Sequence, residues 1–272
     1  MEQKARLSST LFPQLSYLKT GEGPAIVLLH GFPESGSLWR KIWPELSKDY
    51  TVIVPDIPGS GESTLIGTEI SMEQLAECIV QIIDNEVIDE IVLVGHSMGG
   101  YIALAFAQQY GKRLKGLSLV HSTAAADNEE KKETRRKSIQ LIQKGAKEMF
   151  IKQMIPGLFS ERFKEQHPKA VEDEISRGVK MEADSMVAFY NAMINRPDRT
   201  ATLNEIGVPV QWIIGKEDSL IPADKVLPQT RLADVNFVMV YADCGHLAML
   251  DQPRKLVRDL DQFGKYCHSQ KS

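Results

Sequence analysis

The chain has 272 residues, enough for one large α/β domain or for a core domain carrying a smaller insertion. Apolar residues make up 43% and charged residues 25%, an ordinary globular composition. The net charge of −4 gives no basic footprint for nucleic acid or for an anionic membrane surface, so the expected partner is a small molecule.

Cys78, Cys244 and Cys267 are odd in number and lack metal-ligand spacing, which argues against a disulfide framework or a zinc site. The opening residues "MEQKARLSSTLFPQLSYLKT" hold no continuous apolar stretch of the kind export requires. No apolar run is long enough to span a bilayer. The expectation is a cytoplasmic protein with reduced thiols.

In chain order, "LFPQLSYLKTGEGP" can hold an irregular antiparallel edge. "AIVLLHG" from Ala25 is short, apolar and β-branched, and ends in turn residues, the pattern of a buried parallel strand. An amphipathic helical pattern, "SGSLWRKIWPELSK", leads to a second strand, "TVIVPD" from Thr51. "SMEQLAECIVQIIDNEV" then predicts a helix with Ser71 as N-cap. Further strands are read in "EIVLVGHS" from Glu90, "LKGLSLVHS" from Leu114, "VPVQWIIG" from Val208 and "VNFVMVYAD" from Val235, with a C-terminal helix over 253–266. Strands alternating with helices predict a mostly parallel, doubly wound sheet, whose ligands bind outside the carboxyl ends of the strands.

The alternation lapses over 122–200. This stretch is helical in pattern, and "DNEEKKETRRK" at its start reads as a solvated helix face. Met186, Phe189, Tyr190 and Met193 form an apolar stripe at i, i+3, i+4 and i+7, which serves either ordinary packing or contact with a substrate. The division expected is a core over 1–121, a helical cap over 122–200 and the rest of the core over 201–272.

"EIVLVGHSMGGYIALAFA" runs from an apolar strand through a glycine-bracketed serine into an alanine-rich helix. Gly-x-Ser-x-Gly alone is a weak signal; between a strand and a helix it reads as a nucleophile elbow. Gly95 and Gly99 leave room for the strained serine, Gly100 lets the helix approach the sheet, and the helix N-terminus aims free N–H groups at the space beside Ser97.

A serine hydroxyl needs a base. Among six histidines, His96 reads as packing and His30 as a brace for its loop, while His121, His167 and His268 sit in unremarkable polar settings. His246 follows the last strand in "VYADCGHLAMLDQP", at the edge where such sheets deliver catalytic groups, and is the expected base. Its carboxylate partner is expected to be Asp218 in "WIIGKEDSLIP", with Glu217 as its neighbour and Asp224, Asp243 and Asp251 as nearby alternatives. The ordinary reading of Asp218 is an Asx-turn or cap before Pro222. Oxyanion donors are expected in the N–H groups of Met98 and, because Pro33 has none, Phe32.

Taken together, "HGFP", "VPDIPGSGES", "GHSMGG", "GKEDSLIP" and "CGHLAMLDQP" resemble, in order and over nearly the whole chain, the α/β-hydrolase superfamily, in its cap-bearing group of small serine esterases. The resemblance implies an α/β-hydrolase fold, a mostly parallel twisted sheet flanked by helices with a helical cap inserted. It also implies Ser97 as nucleophile, Asp218 as acid, His246 as base, Phe32 and Met98 as oxyanion donors, and no cofactor or metal. The loop with Asp56, Gly59 and Gly61 is implied to be structural. The function expected is hydrolysis of a small carboxylic ester through an acyl-enzyme. Acyl transfer, thioester cleavage or C–C bond hydrolysis with the same triad are the alternatives, followed by a ligand receptor on the same fold. "HGFPE" also resembles epoxide hydrolases and haloalkane dehalogenases, but Ser97 attacking an sp³ carbon would leave an ether that water cannot cleave.

Overall fold

Runs of β-branched and leucine residues bounded by turns pair into one eight-stranded sheet in the computed structural model, which describes residues 3–9, 12–65 and 67–270. In chain order the strands are β1 (Gln3–Leu7), β2 (Leu15–Thr20), β3 (Ala25–Leu29), β4 (Thr51–Pro55), β5 (Ile91–His96), β6 (Leu114–Val120), β7 (Val210–Gly215) and β8 (Asn236–Tyr241). Their spatial order is β1-β2-β4-β3-β5-β6-β7-β8. From β4 to β8 all pairings are parallel, while β1–β2 and β2–β4 are antiparallel. β3, β5 and β7 are buried along their whole length, as strands covered on both faces must be.

The amino-terminal edge is more regular than its sequence implies. It holds two strands in place of one irregular segment, with Gln3–Leu7 in continuous register against Leu15–Thr20. (Leu11, at the head of the predicted segment, lies outside the described residues.) β1 escapes an apolar-run reading because an edge strand carries charge: Lys4 and Arg6 both pair with Glu62.

The pattern at 35–48 gives two short pieces, a 3₁₀ turn over Gly36–Lys41 and a helical turn over Trp43–Leu46, because Pro44 cannot donate the N–H that would continue one helix. Met72–Asn85 begins in a capping box, Gln74 N–H donating to Ser71 Oγ and Ser71 N–H to Gln74 Oε1. The carboxyl-terminal helix extends from Pro253 to Ser269.

Between β6 and β7 the chain forms helices over Glu129–Leu141, Lys147–Met154, Glu161–Gln166, Pro168–Gly178, Ala183–Asn195 and Thr200–Glu205, with no strand among the described residues. The charged first helix has no fully buried residue, but Arg135 departs from the solvated-face pattern. Its side chain is 12% exposed and its Nε donates to Asp127 at 2.6 Å. Arg196, on the returning strand of chain, donates to the other oxygen of Asp127 at 3.0 Å and to the Ala125 carbonyl at 2.9 Å, with its guanidinium 3.9 Å from the Tyr101 ring centre. One buried carboxylate thus ties the outgoing and returning crossings of this helical segment.

Removing that carboxylate would leave two guanidinium groups largely buried without a counter-charge. Asp127→Ala is therefore expected to lower unfolding stability by about 3–5 kcal/mol, read from the midpoint of a urea titration.

Candidate active site

β5 ends at His96, and the chain reverses at the next residue. Ser97 adopts φ 51° and ψ −115°, a backbone region costly for any residue with a Cβ. The surroundings hold it there. Its N–H donates to the Val120 carbonyl at 3.0 Å, and its carbonyl accepts from Gly100 N–H at 2.9 Å and Ser122 Oγ at 2.8 Å. A Cβ on Gly95 would stand 2.6 Å from Gly100 N and Cα, so only glycine lets the helix over Met98–Tyr110 start so close to the strand. The Ser97 hydroxyl has no hydrogen-bond partner among the described residues.

Met98 is the first residue of that helix, so its N–H has no acceptor one turn back. The loop after β3 passes beside the serine: a Cβ on Gly31 would lie 3.0 Å from Ser97 Cβ. Phe32 follows directly, and its ring packs against Tyr190 at 4.7 Å and Phe189 at 6.4 Å between centres.

His246 lies on the loop after β8 and Asp218 on the loop after β7; both are buried. His246 Nδ1 and Asp218 Oδ2 are 2.7 Å apart. The backbone fixes the ring, since His246 N–H donates to the Leu158 carbonyl at 2.7 Å and the His246 carbonyl accepts from His96 Nε2 at 2.9 Å. Its own Nε2 is buried and has no hydrogen-bond partner among the described residues. That ring centre is 5.0 Å from the ring centre of His96, the residue preceding Ser97.

The two oxygens of Asp218 have different partners. Oδ1 accepts from the N–H groups of Leu220 at 3.0 Å and Ile221 at 2.9 Å, an Asx-type turn, while Oδ2 faces the imidazole. Burial pushes its carboxyl upward, but the charge and hydrogen bonds of His246 and His121 outweigh burial and hold it well below the carboxylate range. The neighbouring acids are engaged elsewhere. Asp224 and Asp243 are exposed, Asp251 Oδ2 accepts from Gly245 N–H at 2.8 Å, and Glu217 accepts from Glu161 N–H.

Two further histidines, His96 and His121, make more contacts than their sequence settings indicate, while His30 matches its setting. His30 does brace a loop: its Nε2 accepts from Ile57 N–H at 3.0 Å and faces Ser60 Oγ. His96 links two loops, since its Nδ1 is 3.1 Å from Glu34 Oε2, which also accepts the Gly31 N–H at 3.0 Å. Burial opposes charge on His96, but Glu34 overrides it and raises the imidazole above its usual value. His121, unremarkable in sequence, is fully enclosed, with Nδ1 3.2 Å from the same Asp218 oxygen that meets His246. The signal was present, because "LVHS" ends a parallel strand just as "LLHG" does. The 2.7 Å separation of Asp218 and His246 is shorter than the ~3.3 Å between two ligands around a tetrahedral zinc, so the trio has hydrogen-bond spacing.

Met186, Phe189, Tyr190 and Met193 are all buried. Phe189 and Tyr190 meet Phe32; the two methionines belong to the general apolar core. A cavity of about 780 Å³ opens between the 59–65 loop and residues 177–185, with Pro33, Leu158 and Leu247 in its wall. Ser97 does not line it. The cavity adjoins the serine site through the neighbours of Phe32 and His246. Asp56, as expected, only ties loops, accepting from Gly36 and Glu62 N–H groups.

A parallel sheet with a strained serine turn at its carboxyl edge, and a histidine–carboxylate pair on the loops after its last two strands, defines the α/β-hydrolase class. The sequence pattern of the family described as "alpha/beta hydrolase fold" matches residues 24–253, and the chain belongs to that family. A thermophilic esterase from Thermogutta terrifontis, solved with malate bound, is 30% identical with a TM-score of 0.93, over 98% of this chain and 100% of that one. A putative 2-succinyl-6-hydroxy-2,4-cyclohexadiene-1-carboxylate synthase of Bacillus subtilis is 28% identical over 93% of this chain and 96% of its own length. A soluble epoxide hydrolase of Corynebacterium sp. is 34% identical over 35% of this chain. The chain spans about a third of the length of the first curated relatives it matches, 29% to 33%.

Two outcomes are expected. Gly95→Ala sets a methyl against backbone that cannot yield, and should cost about 1–3 kcal/mol in a urea titration. Burial pushes His121 down to about 4 from the usual 6.5, so it must stay neutral in the fold while the unfolded chain takes up a proton near 6.5. Its contribution is therefore complete above pH 6.5 and lost as pH falls toward 4. His121→Asn, which does not titrate, should lose less stability than wild type over that window when denatured at successive pH values.

Proposed function

We propose that the protein is a serine hydrolase that cleaves a small carboxylic ester or related acyl compound through an acyl-enzyme. The observation that carries this reading is the His246–Asp218 hydrogen bond of 2.7 Å, with the outer nitrogen of His246 left unpartnered near the strained Ser97 turn. In the proposed reaction Ser97 Oγ attacks the carbonyl carbon while His246 Nε2 takes its proton. The N–H groups of Phe32 and Met98 receive the developing oxyanion, each worth about 3 kcal/mol of barrier lowering. His246 then returns the proton to the leaving alcohol and activates water against the acyl-enzyme, with Asp218 ionised throughout.

Several features support the details. Asp218 is held as a carboxylate, so it can stabilise an imidazolium without taking its proton. Phe189 and Tyr190 pack on Phe32 and would form the apolar wall of one substrate arm, with the cavity beside Pro33 and Leu247 for the other. In this reading residues 122–200 act as a cap over the serine. The named esterase relative favours ester hydrolysis; against the epoxide hydrolase likeness stands the chemistry of Ser97, whose attack on an epoxide would leave an inert ether. Three buried, free cysteines fit a reducing cytoplasm. Among the described residues no helix is long and apolar enough to cross a membrane.

Turnover of a chromogenic short-chain ester tests this. Ser97→Ala and His246→Ala should each lower kcat by about a million-fold, and Asp218→Asn by about ten-thousand-fold with the fold intact. Equal rates in Ser97→Ala and wild type would remove Ser97 as nucleophile. New ester formed at the expense of free acid when an alcohol is supplied would reassign the reaction to acyl transfer.

A further inference from the structure

We infer that His121 is a positioning residue for this reaction: its Nδ1–H holds Asp218 Oδ2 beside His246 and sets how strongly that carboxylate draws on the His246 imidazole. The inference rests on the proposed Ser97–His246–Asp218 reading. It starts from placement. His121 is the residue after β6, its N–H continues the ladder by donating to the Ile213 carbonyl at 2.9 Å, and its backbone is left-handed at φ 49°. The side chain is fully enclosed, and Cε1 would lie 2.9 Å from a Cβ on Gly215, so the ring has one place to sit.

The tautomer follows from its partners. Asp218, ionised, can only accept, so the His121 nitrogen 3.2 Å from it must carry the proton. His121 Nε2 then has a free lone pair, and the group facing it at 3.9 Å is the Cys244 sulfur. Burial pushes the Cys244 thiol up, so it keeps the S–H that this lone pair can accept. Each polar atom in the chain Cys244, His121, Asp218, His246 thus has one workable role.

Asp218 ends with four N–H donors: Leu220 and Ile221 on Oδ1, His246 and His121 on Oδ2. The first two fix the carboxyl plane. The last two compete for one oxygen. Donation from His121 withdraws carboxylate charge that would otherwise act on His246 alone, and in the proposed reaction His246 must first accept a proton and then release it. The other titratable groups packed around the pair are His96, which donates to the His246 carbonyl, Glu34 behind His96, Asp251, whose Oδ2 accepts the Gly245 N–H, and Glu217, which accepts from Glu161 N–H; none of them has a hydrogen bond to Asp218.

With a chromogenic ester, His121→Ala should move the acid limb of kcat/KM up by about one pH unit, because an Asp218 short of one donor stabilises the His246 imidazolium more. At the plateau kcat should fall about three- to ten-fold with KM unchanged, an over-basic His246 being a poorer acid toward the leaving group. His121→Asn should restore both, since its amide nitrogen replaces Nδ1 and asparagine tolerates the left-handed backbone. A structural role alone would lower the melting temperature and leave the acid limb in place; that result in folded His121→Ala overturns the proposal. Should His121→Ala not fold, ¹⁵N NMR of the wild-type imidazoles decides: a proton on His121 Nδ1 supports the inference, and one on Nε2 overturns it. Ser97→Ala in the same assay separates the two readings. If it is active the proposed function falls, whereas if it is inert and the acid limb of His121→Ala is unmoved, only the role of His121 falls.

Discussion

A carboxylate buried at the edge of a sheet must be satisfied on every side, and Asp218 organises its neighbourhood through that demand. Burial of an ionised group without partners costs several kcal/mol. The N–H groups that meet it come from three places: its own loop after β7, His121 at the end of β6, and His246 after β8. The parallel order β6-β7-β8 brings these three carboxyl ends side by side. Chain segments separated by nearly a hundred residues are thereby held at one point, and the imidazole of His246 is given a single orientation.

The Ser97 turn depends on the same sheet in a different way. Its left-handed backbone persists because β5 on one side and the following helix on the other leave no room to relax, and because Val120, Gly100 and Ser122 bind its backbone groups. Rigidity here is supplied by neighbours on β6, the strand that also delivers His121. The serine turn and the carboxylate cluster therefore share a support.

Much of this was legible in the sequence wherever burial dictates composition. The six parallel strands are rich in apolar residues, so their runs stand out, and the residues just after them include Ser97, Asp218 and His246, the last two hydrogen-bonded to each other. Strand β1 was not legible because a charged edge strand carries no core pattern. His121 carried only a positional signal, the end of a parallel strand; its contacts are with residues ninety-seven and one hundred twenty-five positions away, which no local spacing encodes. Arg135 was hidden for a related reason: among the charges of "DNEEKKETRRK", only the fold reveals which one turns inward to Asp127. The break at Pro44 was readable from proline chemistry, yet the amphipathic pattern around it masked the interruption.

The Arg135–Asp127–Arg196 cluster bears on how the helical segment is held together at its base. The trio lies within the helical segment and joins its two ends to each other, Asp127 on the way out and Arg196 on the way back, while the Arg196 guanidinium rests on the face of Tyr101 in the helix that follows Ser97. The cavity between the 59–65 loop and residues 177–185 is thus walled on one side by a segment whose two ends are cross-linked by buried charge.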